Sequence, residues 1–277
     1  MNNNMNALTP PEIYEKVSDS GIAKANGSVA KLFVLGIMAG AFIAFGAQAS
    51  LMASFNLTSD PATFGIGKVV MAAVFPVGLM MVVLCGAELF TGNCLMFTGA
   101  LDKKFKWSAI WRNWAIVYIG NLVGSLIIVF FIAYSGLLDS GGGLLGAVTV
   151  KTAIGKCGLS FGKAIVLGIM CNVLVCLAVW MATGSREVIG KIFAIWFCIG
   201  LFIVSGFEHS VANMYFIPAG LLAAGNEAYV NLLDLDISGL TVYAFLIKNL
   251  LPVTIGNIIG GSVFVGTTYW FCYSKSK

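Results

Sequence analysis

Two apolar stretches constrain the fold most, because each is too long for one straight membrane crossing and each is interrupted by polar residues. Residues 68–100 hold Glu88, and residues 190–224 hold Glu208 beside His209, the only histidine of the chain. A straight span needs roughly 20 apolar residues. Ionisable groups at membrane depth are costly unless they are paired or line a path. The sequence therefore predicts two broken helices with a substrate site at the breaks.

Composition places nearly the whole chain in a membrane. Of its 277 residues, 59% are hydrophobic and 10% are charged, whereas a soluble domain carries about 25% charged residues. The apolar stretches predict an all-α protein with six transmembrane helices. Their predicted positions are 31–55, 68–100, 110–135, 163–183, 190–224 and 248–273.

The distribution of positive charge predicts the orientation, because connections rich in lysine and arginine stay in the cytoplasm. The connections on the side of both termini hold most of these residues. The opposite side holds only Lys68, Lys151, Lys156, Lys163 and Lys248. We therefore predict a multi-pass protein of the inner (plasma) membrane with both termini in the cytoplasm. The predicted division is an N-terminal cytoplasmic segment (1–30), a six-helix channel domain (31–273) and a cytoplasmic tail (274–277).

Internal repetition predicts that the six helices form two related halves. Three short patterns occur twice in the same order, at 35–38 and 167–170, at 88–93 and 208–213, and at 119–125 and 255–262. Two halves of three helices must cross the membrane in opposite senses, which is the inverted-repeat plan of transporters and channels. Close helix packing is predicted at glycine pairs with GxxxG spacing. These pairs are Gly36 with Gly40, Gly120 with Gly124, and Gly256 with Gly260.

Several classes of function lack support in the sequence. The seven cysteines form no CxxC pair, and with one histidine they do not make a metal-ligand set. No basic run with interleaved aromatic residues points to nucleic acid, and no GxxxxGK[ST] motif points to ATP-driven transport. No Ser-His-Asp set can be assembled for a membrane enzyme. We therefore predict a protein that is not an enzyme and binds no cofactor.

Four ordered segments carry a resemblance to a known family. Residues 86–93, 172–181, 205–214 and 253–261 resemble the signature segments of the formate/nitrite transporters, and the similarity extends over roughly 10–273. The resemblance implies an aquaporin-like six-helix protomer in a homopentamer, embedded in membrane lipid. It also implies that each protomer has its own pore for a small monovalent anion, with protons taking part in the passage.

The resemblance implies roles for three polar residues. His209 gives a proton to the passing anion or donates a hydrogen bond to it, Thr91 faces His209 across the pore, and Lys156 draws anions into the outer vestibule. A buried imidazole favours its neutral form, and a nearby anion opposes that preference. The alternatives are a core histidine that holds its loop, a threonine bonded to its own helix, and a solvated loop lysine. The last is also the expectation for Lys151 and Lys163.

Further positions match the pore of the family. The apolar constriction is implied for Phe75, Leu79, Leu89, Phe90 and Phe202, where hydrophobic rings exclude hydrated ions. The inner mouth is implied for Asn172 and Val175, although Asn172 could instead bond a neighbouring helix. Loop-structuring roles, in which side chains bond the backbone N–H groups freed at the breaks, are predicted for Glu88, Glu208, Asn93 and Asn213. A proton relay through the two carboxylates is the alternative.

The sequence supports formate as the leading substrate and leaves alternatives open. Residues 214–220 are closer to formate members, whereas 88–93 and 191–198 are closer to nitrite members, and hydrosulfide members share the same plan. An aquaporin-like channel for neutral solutes is a further alternative, but neither Asn93 nor Asn213 is followed by proline. Residues 11–17 are predicted to form a short amphipathic helix, which covers the pore in formate members.

Overall fold

The computed structural model describes residues 7–275, so the parts of the predicted terminal segments at 1–6 and 276–277 lie outside the described residues. The chain is helical, and the extended pairing found within 7–275 is one bridge between Ala7 and Ser185. The helices are α1 (Pro10–Ala25), α2 (Val29–Ser59), α3 (Phe64–Gly86), α4 (Phe90–Asn93), α5 (Met96–Leu101), α6 (Trp107–Tyr134), α7 (Leu144–Cys157), α8 (Phe161–Gly184), α9 (Val188–Ser205), α10 (Ser210–Ala223), α11 (Glu227–Leu232) and α12 (Ala244–Tyr273).

Within residues 7–275, six helices are long and apolar enough to cross a membrane, namely α2, α3, α6, α8, α9 and α12, with mean hydropathy from 1.5 to 2.5. The predicted six-helix, all-α architecture is confirmed. The two long apolar stretches are divided as predicted, because α3 gives way to α4 and α9 gives way to α10 across short extended segments. Gly86 (φ 82°) and Gly206 (φ 76°) begin these two breaks in the left-handed region, which other residues adopt only at a cost.

The helices of each half pack with their backbones in contact. A Cβ atom added to Gly124 in α6 would overlap the carbonyl oxygen of Ile37 in α2. In the second half, a Cβ on Gly256 in α12 would overlap the carbonyl oxygen of Ile165 in α8. Only glycine permits so close an approach. The predicted GxxxG packing is therefore confirmed in both halves, which supports the inverted repeat.

Helix α7 was not expected from the sequence. The connection that carries Lys156 was predicted as an outer loop, but Leu144–Cys157 is helical and packs its apolar side against α10. The prediction failed because a helix of 14 residues is shorter than the roughly 20 residues that mark a membrane span.

Helix α1 precedes the first half as α7 precedes the second. We call the corresponding ends of the bundle the α1 face and the α7 face.

Candidate functional site

His209 lies at the start of α10, where its ring has two defined partners. Its Nδ1 accepts the backbone N–H of Ala212 at 3.1 Å, and its Nε2 lies 2.8 Å from the hydroxyl oxygen of Thr91. Since Nδ1 accepts from a backbone N–H, it carries no proton, and the neutral ring holds its proton on Nε2. His209 therefore donates to the Thr91 oxygen. The Thr91 hydroxyl hydrogen is left to donate to another group.

A small apolar chamber, with a volume of about 10 Å³, adjoins this pair. Its walls are Ile43, Phe75, Leu79, Leu89, Val175, Ile199, Phe202 and His209. The structure thus brings together five of the apolar positions named from the sequence and adds Ile43 and Ile199. These two isoleucines were missed because an isoleucine in a membrane helix carries no signal that separates a pore-facing position from a lipid-facing one.

Two other predicted pore residues lie outside the lining of this chamber. Phe90 is buried edge-to-face against Tyr118 and Trp114, with ring centroids 4.8 and 5.9 Å apart. Asn172 donates from Nδ2 to the carbonyl oxygens of Thr91 (3.2 Å) and Asn257 (2.6 Å). Of the two alternatives for Asn172, its contacts match bonding between helices, and they hold the Thr91 backbone in place.

A lysine and a glutamate are paired at the α7 face. Lys156 Nζ lies 2.8 Å from Glu208 Oε1, and Asn213 donates to Glu208 Oε2 at 2.6 Å. Asn249 of α12 completes the cluster by accepting from Asn213 (2.7 Å) and donating to the Lys156 carbonyl oxygen (2.9 Å). The charged groups are mostly buried, with 16% and 7% of the lysine and glutamate side chains exposed. The buried carboxylate is therefore paired with a lysine on one oxygen and hydrogen-bonded by an amide on the other.

The same arrangement occurs at the α1 face. Lys24 Nζ lies 2.8 Å from Glu88, Asn93 donates to that carboxylate at 2.6 Å, and Asn113 accepts from Asn93 at 2.9 Å. Sequence reasoning missed Lys24 and Asn113. A signal was present, because Lys24 precedes 35–38 by the same spacing as Lys156 precedes 167–170. Helix α1 is therefore the counterpart of α7 in the inverted repeat.

The backbone at the breaks is held by asparagines of α6 and α12. Asn257 accepts the Ser210 N–H at 2.9 Å and donates to the carbonyl oxygens of Gly168 (2.8 Å) and Glu208 (3.0 Å). Asn121 makes the equivalent bonds in the first half. The expectation that Glu88 and Glu208 bond the freed N–H groups was wrong for the side-chain contacts of residues 7–275. Both carboxylates bond lysine and asparagine instead, because these partners neutralise or solvate a charge.

The two halves differ at the centre. When Glu88 is aligned with Glu208 in the repeat, Leu89 is the counterpart of His209, and Thr91 is the counterpart of Val211. The first half thus contributes a hydroxyl and the second half an imidazole. The hydrogen-bonding pair is built once, from unlike residues, inside a scaffold that is otherwise repeated.

The cavities at the two faces also differ. The α7-face vestibule has a volume of about 390 Å³, and its lining includes Lys68, Lys151, Lys156 and Glu208. Lys151 is exposed, as expected, but the expectation of a loop position was wrong, because the residue lies on α7 and lines the vestibule. The α1-face cavity, of about 70 Å³, is smaller and is lined partly by Lys24 and other residues of α1.

Helix α1 is tied to the bundle through Asp102. The hydroxyl groups of Tyr14 and Ser18 donate to one oxygen of Asp102 at 2.7 Å, and the Ser274 hydroxyl donates to the other at 2.6 Å. Burial and the hydrogen bond to Asp102 raise the pKa of Tyr14 above its ordinary value, so the phenol remains a donor. This contact joins both ends of the described chain at the α1 face.

Known proteins resemble this chain along nearly its whole length. A family model described as "Formate/nitrite transporter" matches residues 11–271. A probable formate transporter of Methanothermobacter thermautotrophicus is 40% identical, over 96% of this chain and 97% of the relative. The formate channel FocA of Escherichia coli (strain K12) is 38% identical, over 99% of this chain and 98% of the relative.

A solved structure has the same fold. The structure described as "Pentameric formate channel with formate bound" has a TM-score of 0.77 at 35% sequence identity and covers 89% of this chain and 98% of that chain. Two features agree with these similarities, namely the inverted repeat and the chamber at the helix breaks. This chain belongs to the formate/nitrite transporter family.

Proposed function

We propose that this protein is a channel for a small monovalent anion, with formate as its substrate, and that it assembles as a homopentamer with one pore in each protomer. The observation that carries the proposal is the pair formed by the His209 ring and the Thr91 hydroxyl, buried beside an apolar chamber between two lysine-bearing cavities. The similarity to proteins named as formate channels, one of them pentameric, supports both parts.

The position in the cell is part of the same proposal. The α1 face carries both ends of the described chain and lies on the lysine-rich side, so we assign it to the cytoplasm of a cell with this protein in its inner membrane. The α7 face then opens outward. Residues 1–30, 31–273 and 274–277 keep their predicted roles as cytoplasmic segment, channel domain and tail, and the protein acts in transport rather than catalysis.

The proposed passage begins with electrostatic attraction. Lys156 attracts the anion into the α7-face vestibule, and the apolar walls at Phe75, Leu79 and Phe202 exclude hydrated ions. The dehydrated anion then accepts a hydrogen bond from the Thr91 hydroxyl, and it accepts one from His209 Nε2–H when that proton turns from the Thr91 oxygen to the anion. A proton moved onto the anion gives a neutral acid, which avoids the cost of a charge in an apolar constriction.

The N-terminal cap of α10 limits how His209 supplies a proton. To become an imidazolium, the ring must bind a proton at Nδ1, which at present accepts the Ala212 N–H. Proton gain therefore breaks the cap hydrogen bond of α10. We infer that hydrogen bonding from neutral His209 is the resting interaction, and that proton transfer accompanies a local change at the start of α10.

The test is stopped-flow uptake into proteoliposomes. Formate, nitrite and hydrosulfide are compared at pH about 5.5 and about 7.5, on either side of the ordinary histidine pKa, with water flux and protein-free liposomes as controls. We expect formate uptake that rises in acid. If nitrite or hydrosulfide is taken up faster than formate, the proposed mechanism stands but the substrate is that anion instead. Water flux with all three anions excluded would support the aquaporin-like alternative and overturn the proposal.

The Thr91 hydroxyl has its own test. We expect Thr91→Val to reduce formate uptake about 10-fold, because a hydrogen bond to an anion is lost, while valine keeps the shape of the side chain. Uptake and oligomer size are measured together, and Thr91→Ser, which restores the hydroxyl, should recover most of the rate. Uptake at the wild-type rate in the valine variant would remove Thr91 from the site.

A further inference from the structure

The α7-face vestibule carries more positive charge than its one ion pair neutralises. Lys68, Lys151 and Lys156 line the cavity together with the carboxylate of Glu208. Only Lys156 is paired with that carboxylate, at 2.8 Å. Among residues 7–275, the ammonium group of neither other lysine makes a hydrogen bond or an ion pair. Two ammonium groups in this cavity therefore lack a neutralising partner.

Lys68 is the more unusual of the two, because it lies within the membrane-spanning helix α3 and is half-buried. An ammonium group in such a helix is costly unless it meets an anion, water or a counter-ion. The adjacent Gly67 packs directly on α2, where an added Cβ would come within 2.7 Å of Thr58 Cγ2. Thr58 also lines the vestibule. This packing holds Lys68 at the wall of the vestibule, which Lys156 and Glu208 also line.

We propose that Lys68, assisted by Lys151, forms a capture site that holds a small monovalent anion in the α7-face vestibule before it reaches the chamber. The proposal rests on the proposed function and names an additional recruiting residue for it. The anion supplies the negative charge that the vestibule lacks, and it lies beside the Lys156–Glu208 pair without breaking it. A low concentration of substrate then suffices to occupy the entrance.

The position of Lys68 carries a charge in one half only. By the correspondence that relates Glu88 to Glu208, Lys68 is matched in the second half by Val188, an exposed apolar residue. The α1 face therefore has no counterpart to Lys68 at this position. Capture should favour anions that arrive from the α7 face.

The test compares the concentration dependence of formate uptake in wild-type proteoliposomes and in Lys68→Gln, with substrate supplied at the α7 face. At an ionic strength of about 10 mM, we expect the half-saturating concentration to rise about 3- to 5-fold, with the maximal rate unchanged. At about 300 mM the difference should become smaller, because salt screens the charges that face the open vestibule. Lys163→Gln is the matched control, since Lys163 is an exposed lysine that follows α7 but does not line the vestibule.

A second variant covers the case in which Lys68→Gln does not assemble. Lys151→Gln changes an exposed side chain, and we expect a smaller shift of the half-saturating concentration in the same direction. An unchanged half-saturating concentration in both variants would overturn the capture site, as would a fall in maximal rate that is the same at both salt concentrations. If the wild-type protein carries no anion, the proposed function fails as well, and this outcome is distinct from anion flux that is insensitive to Lys68.

Discussion

Replacing His209 with asparagine is expected to leave the protein assembled, to lower formate uptake about 10- to 100-fold, and to remove the increase of uptake in acid. The asparagine Oδ1 can take the place of His209 Nδ1 and accept the Ala212 N–H as the cap of α10. Asparagine cannot bind or release a proton near neutral pH. Uptake at pH about 5.5 and about 7.5 therefore separates the titrating function of His209 from its structural function.

His209→Ala is the comparison for this experiment. Alanine removes the cap of α10, which costs about 1 kcal/mol of stability, so its thermal unfolding temperature should fall below that of the asparagine variant. If the asparagine variant keeps the wild-type ratio of uptake at the two pH values, the imidazole is not the titrating group. If neither variant reaches the membrane, His209 is a structural residue that holds its loop.

Replacing Gly124 with alanine is expected to prevent assembly of the protein. The new methyl group would overlap the carbonyl oxygen of Ile37 and lie within 2.8 Å of its carbon and 2.9 Å of the Ala41 nitrogen. These are backbone atoms, so no side-chain rotation relieves the overlap, and α2 and α6 must separate. We expect a loss of more than about 3 kcal/mol of stability, at the upper end of the range for overpacked cores. Yield and monodispersity in size-exclusion chromatography measure this loss.

Gly162→Ala is the matched control for Gly124→Ala. Gly162 lies near the start of α8, and an added Cβ there would meet nothing within 4 Å. Alanine is favoured over glycine inside a helix by roughly 0.5–1 kcal/mol, so this variant should be at least as stable as the wild type. Wild-type yield and thermal stability of Gly124→Ala would mean that α2 and α6 do not approach each other as closely as the structure indicates.

The membrane architecture could be predicted from the sequence because its signals are local. An apolar run of sufficient length predicts a span, and Gly86 and Gly206 with their neighbouring glutamates predict where two spans break. The GxxxG pairs predicted the contacting helix faces for the same reason, since glycine at that spacing leaves room only for another backbone. These inferences require no knowledge of how distant parts of the chain meet.

The charge clusters at the two faces could not be predicted in the same way. Lys24 contacts Glu88 only because α1 packs against the bundle. From the sequence alone, a lysine in a terminal segment is ordinarily expected to be solvated. Asn113 and Asn249 are single polar residues in long apolar helices, a pattern that is also typical of simple bonding between helices. For Phe90 and Phe202, the resemblance named both as constriction residues, but the rotation of a short helix turns Phe90 towards Tyr118.

The unequal pair at the two breaks, Leu89 and His209, has a consequence for the sense of transport. Because the two halves are inverted copies, the repeat by itself does not favour one direction of passage. Any preference must come from the features in which the halves differ, namely the volumes of the two cavities and a few side chains. Two of them lie at the loop tips beside the chamber, and a change of direction during evolution would need exchanged side chains there rather than a new fold.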